Sequence, residues 1–254
     1  MTDYEKEKQE RRARWKKRRR KQTIRNLTLC GVAIGVIVAC IICIVILSNR
    51  IHSKETVGKS VESGKIIKER PELDVKLLDI NEYSRPGIAI AKVNGIVVHY
   101  TANPGTTARQ NRDYFQGLAQ TGETHASSHF VIGLDGEIVQ CIPCDEMAYA
   151  SNNRNSDTIA IECCIPDTSG KFNAATYDSL VWLTSWLIGR YQLSVDDVIR
   201  HYDVTGKSCP KYFVEHPTEW DKFHQDLLTY IDENGVEKNR GLTCKTLMDY
   251  IKWK

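Results

Sequence analysis

The period of hydrophobic positions changes several times along this 254-residue chain, and each change marks an element. Residues 27–47, LTLCGVAIGVIVACIICIVIL, hold no charge at all. As a helix rising 1.5 Å per residue they would span roughly 30 Å, the thickness of bilayer hydrocarbon, and they predict a single transmembrane helix. Residues 48–78 are polar and mixed in charge, the composition of a stalk. From 79 to 232, strand and helix periods alternate. GIVVHYT (95–101) reads as a short apolar strand, and TTARQNRDYFQGLAQTG (106–122) as a helix opened by Thr and closed by Gly122. SSHFVIGLDGEIVQCI (127–142) is two apolar runs around LDG, a hairpin signature, and TIAIECCI (158–165) is a buried strand. Positions 177, 180, 181, 184, 187, 188 and 191 keep the 3.6 period of an amphipathic helix. DVIRHYD predicts a last short strand, and residues 217–231 a closing helix with Pro217 at its start. Strands mixed with helices in this order predict an α/β domain, a mixed β-sheet covered by α-helices. Residues 233–254 form a tail to which the pattern gives no role.

Charge adds topology to this picture. Residues 1–26 carry twelve Lys or Arg against four acids, so the remainder is net acidic, about −5 within a whole-chain +3. A basic flank ahead of the apolar run places the N-terminus in the cytoplasm and residues 50–254 across the membrane. A cleaved signal peptide would have a shorter apolar core, roughly 7–15 residues, ending in small residues; here the run ends ILSNR. The expectation is a single-pass cell-membrane protein with its folded domain extracytoplasmic. Lying against a spanning helix, the basic run is read as a topology signal touching anionic headgroups, not as a nucleic-acid site. The lipid bilayer is therefore an expected partner through residues 27–47, and the oligomeric state is not legible.

Candidate chemistry gathers at strand ends. His99 closes IVVHYT and His201 closes DVIRHYD, where side chains leave the core for the rim of a sheet. The loop RHYDVTGKSCP then brings Lys207 and Cys209 close behind His201. Two histidines and a cysteine match catalytic zinc sites, which use three protein ligands and keep a fourth position open. Hydrogen-bonded structural histidines and an inert cysteine are the competing reading, and spacing alone leaves both open. Of nine cysteines, Cys30, Cys40 and Cys43 fall in the apolar run, and Cys141 and Cys144 form a lone C-x-x-C at the end of an apolar strand, where packing is the simpler role.

Four segments, GIVVHYTANPG, ASSHFVIGLDGEIVQCIPCDEMAYAS, SDTIAIECC and RHYDVTGKSCP, occur in one order across residues 94–231. Together they resemble the zinc-dependent N-acetylmuramoyl-L-alanine amidases, a family shared with the peptidoglycan recognition proteins. The resemblance implies a Zn2+ ion held by His99, His201 and Cys209, the last as thiolate, activating water against an amide. It implies that Lys207 stabilises the oxyanion. Phage-type members carry a tyrosine where this chain has Ser128, so Glu162, ending TIAIE as in other bacterial members, becomes the expected general base. His129 and Asn155 are the expected substrate contacts, with Asn152 and Asn153 in the same polar loop. The implied substrate is peptidoglycan, cut between N-acetylmuramic acid and L-alanine of the stem peptide. The alternative is a receptor module of the same fold that binds peptidoglycan without cutting it; such members typically lose the cysteine that is kept here.

Overall fold

In chain order the strands and helices are β1 (Lys65–Ile66), β2 (Asp74–Val75), β3 (Gly95–Tyr100), α1 (Ala108–Thr121), β4 (Phe130–Ile132), β5 (Ile138–Gln140) and β6 (Thr158–Cys163). They continue as α2 (Ala174–Tyr191), β7 (Val198–Arg200), α3 (His201–Thr205), α4 (Lys211–Glu215), α5 (Pro217–Asn234) and β8 (Val236–Glu237). This computed structural model describes residues 64–238. The spanning segment read at 27–47, the basic segment before it and the end of the tail lie outside the described residues. Among the described residues no helix is long and apolar enough to cross a membrane.

Ile96, Val97 and Val98 are completely buried, as the β-branched centre of a strand covered on both faces should be. The sheet runs β2-β5-β4-β6-β3-β7, with β4 and β5 antiparallel and every other neighbouring pair parallel. This is the mixed sheet expected from the sequence. Alternate residues feed two cores. Ile96, Val98, Phe130, Ile159 and Ile161 face Leu180, Leu187, Phe223 and Leu227 of α2 and α5. Val131, Val139 and Cys141 face Phe115 and Leu118 of α1. Local chemistry fixes the ends of α1: Thr107 and Gln110 form a reciprocal capping box, and Gly122 closes the helix at φ 63.

The boundaries differ from the pattern-based ones. Residues 64–78 are not a stalk. β1 pairs antiparallel with β8, and β2 adds to the sheet beside β5. Gly189 of α2 lets β1 cross closely, since a Cβ there would sit 3.1 Å from the Ile66 Cβ. Leu78 is 1 % exposed and belongs to the α1-side core. Two-residue strands are too short to establish a period, so single apolar residues among charges resembled a linker. The tail likewise starts later, because α5 and β8 carry the fold to residue 237. DVIRHYD is a strand only to Arg200. The Asp203 carboxylate accepts the Arg200 backbone N–H at 2.8 Å and turns the chain into α3, with His201 as its first residue.

Replacing Leu78 by Ala therefore tests the boundary. A core leucine should cost about 2–5 kcal/mol in urea unfolding, whereas a stalk residue would cost nothing measurable.

Candidate metal centre

In the parallel pair β3–β6, His99 is the register partner of Glu162. β7 ends one residue before His201, so both histidines and the glutamate arrive at the C-terminal edge of parallel strands, where open α/β sheets place their ligands. Cys209 returns to that edge by a tight path. α3 stops at Gly206, at φ 75, and the Tyr202 backbone N–H donates to the Cys209 carbonyl at 2.8 Å. One donor atom each from His99, His201 and Cys209 then lie within 4.8 Å of one another. The two imidazole centroids are 4.6 Å apart.

The remaining ring nitrogens are spoken for. His99 Nε2 lies 3.2 Å from Ser151 Oγ, while its Nδ1 lies 3.8 Å from Cys209 Sγ. His201 Nε2 lies 3.1 Å from Asn152 Oδ1. Burial, reinforced by the neighbouring His201 and Lys207, holds His99 well below the usual imidazole range. Burial and Lys207 lower His201 as well. Both rings are thus neutral bases with a lone pair to give. Burial and the nearby Glu162 push the Cys209 thiol up to about 12, against a hydrogen bond from the Tyr100 backbone and the charge of Lys207, which favour the thiolate. A metal ion is what would overcome that burial cost, since it stabilises the deprotonated sulfur outright.

This donor set fits zinc. At Zn–N near 2.0–2.1 Å and Zn–S near 2.3 Å, tetrahedral ligand atoms stand roughly 3.3–3.6 Å apart. The 3.8 Å between Cys209 Sγ and His99 Nδ1 is close to that before any contraction. Two neutral imidazoles and one thiolate are also a ligand class zinc accepts.

Glu162 stands beside this set. The residue keeps some exposure, but its Oε2 is shut from solvent and has no hydrogen-bond partner. Burial lifts the carboxyl to about 7, opposed by Lys207. Lys207 itself is exposed, and its charge is felt by His99, His201, Glu162 and Cys209 alike. The structure therefore gathers all five of these predicted residues.

Two predicted substrate contacts are engaged inside the protein. The His129 ring is fully buried: Nδ1 accepts the Ala160 N–H at 3.0 Å and Nε2 donates to the Glu146 carbonyl at 2.9 Å. Burial lowers it to about 4, and it has no nitrogen left for a ligand. Asn155 Oδ1 accepts the backbone N–H groups of Ala150 and Ser151, at 3.1 and 2.5 Å, which makes it a brace inside its own loop. Ser128 is also internal, donating toward the Phe130 and Ala160 carbonyls. The sequence gives no sign of Ser151 as a partner of His99, and it marks Asn152 only as part of a polar loop, not as a partner of His201. A run of small polar residues carries no signal that says which of them faces inward.

Residues 90–212 match the family model described as N-acetylmuramoyl-L-alanine amidase. This domain belongs to that amidase family. The amidase CwlL of Bacillus licheniformis is 33% identical over 180 residues, covering 66% of this chain and 49% of its own. The chain spans about half the length of the curated relatives it matches first. A mutant endolysin from Bacillus subtilis is 28% identical with a TM-score of 0.52, over 61% of this chain and 98% of that one. The catalytic domain of XlyA is 26% identical with a TM-score of 0.52, over 61% of this chain and 99% of that domain. The amidase fold thus accounts for the mixed sheet and its helices.

Glu162 sets a pH-dependent term in the stability of the metal-free amidase domain. Its folded pKa is raised, so its contribution is complete below about 4.5 and is lost as pH rises through about 7. With a chelator present, the urea midpoint of the wild-type chain should fall relative to that of Glu162→Gln across this window. A constant difference between the two proteins from pH 4.5 to 8 would show that the carboxyl titrates normally.

Proposed function

We propose that this chain is a membrane-tethered peptidoglycan amidase that hydrolyses the bond between N-acetylmuramic acid and L-alanine of the stem peptide. The observation that carries the reading is the meeting of His99, His201 and Cys209 beside an unpartnered Glu162 carboxylate oxygen. Membership of the amidase family supports the bond and substrate class. Residues 27–47 are the proposed tether, and residues 1–26 its cytoplasmic flank.

In this reading His99, His201 and Cys209 hold a zinc ion. When bound, zinc supplies a Lewis acid that activates water and polarises the scissile carbonyl. The chain's own groups do the rest. Glu162, poised near 7, takes a proton from the attacking water at its carboxylate and passes it to the leaving amide nitrogen. Lys207 brings a positive charge to where the carbonyl oxygen becomes an oxyanion. The buried Ser151, 3.2 Å from His99 Nε2, keeps water from that nitrogen.

The direct test is to incubate the purified full-length protein and zinc with muropeptides. Free lactyl-muramic product and a new alanine N-terminus are expected; intact muropeptides would refute the enzymatic reading. A metal-free protein that binds muropeptides without cutting them would identify a receptor.

Two variants separate the roles. Lys207→Ala should retain full zinc content and lose about 10²–10³-fold in kcat, the usual cost of removing one oxyanion donor. Cys209→Ser should lose zinc and activity together. Tethering is read separately: alkaline carbonate should leave the protein in the membrane pellet, and removal of residues 27–47 should release it.

A further inference from the structure

The loop after Tyr149 touches both histidines of the centre through two consecutive residues. Ser151 Oγ meets His99 Nε2 at 3.2 Å, and Asn152 Oδ1 meets His201 Nε2 at 3.1 Å. Ser151 is 1 % exposed, so its hydroxyl faces the imidazole and not solvent. Asn152 sits at φ 53, in the left-handed region that asparagine tolerates better than most residues. Asn152 opens a short 3-10 turn that runs to Arg154. Asn155 Oδ1 then clamps the turn by accepting the N–H groups of Ala150 and Ser151.

We infer that Ser151 and Asn152 are positioning residues that fix the tautomer of both histidines, keeping the proton on Nε2 and presenting Nδ1 to the metal. The inference rests on the proposed zinc centre and adds what prepares its ligands. A carboxamide oxygen only accepts, so the His201 nitrogen facing Asn152 must carry the proton. His99 reaches the same state from its other side: the sulfur of Cys209 lies 3.8 Å from Nδ1, which marks Nδ1 as the nitrogen directed at the centre. Its Nε2–H is left to donate to Ser151 Oγ. Partners on the outer nitrogen orient metal-bound histidines generally, and losing one typically weakens metal binding by 10–100-fold. What is specific here is the economy: adjacent residues of one braced turn serve two ligands from different elements, β3 and α3.

Asn152→Gly keeps the backbone conformation and removes the acceptor, while Asn152→Asp keeps both. Ser151→Ala removes the hydroxyl, and Ser151→Thr restores it. Zinc affinity of the full-length protein, measured by chelator competition, should fall 10–100-fold in Asn152→Gly and Ser151→Ala. It should stay within a few-fold of wild type in Asn152→Asp and Ser151→Thr. Side-chain 15N shifts of metal-free protein give a second readout. Wild type should show Nε2–H tautomers at His99 and His201, and Asn152→Gly should mix the tautomers at His201 alone. Unchanged zinc affinity in both deletion variants, or an Nδ1–H tautomer at His201 in wild type, would overturn the inference while leaving the zinc centre standing. A folded wild-type protein that binds no zinc would overturn both.

Discussion

Desolvation governs the rim of this sheet. His99, His201 and Cys209 are each under a tenth exposed, and each lies in a position where its charged form loses hydration. For an imidazole that means a neutral ring with an available lone pair; for a thiol it means a proton held until something stronger replaces it. Glu162 obeys the same rule and retains a proton to near neutrality. The groups that could do chemistry are therefore stored in uncharged forms by one cause, not by four separate arrangements.

Strand register turns that cause into a site. Parallel β3 and β6 align His99 with Glu162, and β7 delivers His201 one step beyond the same edge. Because β3 carries a continuous apolar run, its first polar side chain can appear only where the covering helices end. A one-residue slip of β6 would turn Glu162 toward the α2–α5 core and bring Cys163 to the rim. Packing of Ile159, Ile161 and Cys163 into that core is what forbids the slip. Stability of the sheet and geometry of the centre are in this sense one property.

Long periodic elements were legible from the chain, and short ones were not. α2 and α5 follow from helical spacing, and the hairpin follows from two apolar runs around LDG, since burial over many residues leaves a repeated mark. β1 and β2 left no mark, and the ordered start of the domain was read as stalk. Within the site, strand ends pointed to His99 and His201 because an imidazole after an apolar run is conspicuous. His129 also follows polar residues into a strand, and only the structure shows both its nitrogens bonded to backbone. Ser151 and Asn152 depend on a turn three residues long, whose geometry no pattern of polarity encodes.

Charge balance explains why one exposed lysine matters to so much of the rim. The Glu162 carboxylate raises the cost of ionising Cys209, and Lys207 is the cation that both of them feel. Were both acids ionised, one ammonium would leave the cleft a net negative charge, in a place with little water to screen it. A divalent cation reverses that sign to a net positive one, and the ionised thiol becomes the favoured state. The same change draws the carboxylate toward its ionised form, since a nearby positive charge lowers an acid. In the proposed reading, metal binding and ionisation of Glu162 are thus coupled through a single electrostatic account, with Lys207 as its fixed member. An arginine at position 207 would keep the charge but spread it over a planar fork, which is not an equivalent substitution for a compact ammonium beside the oxyanion of the proposed reaction.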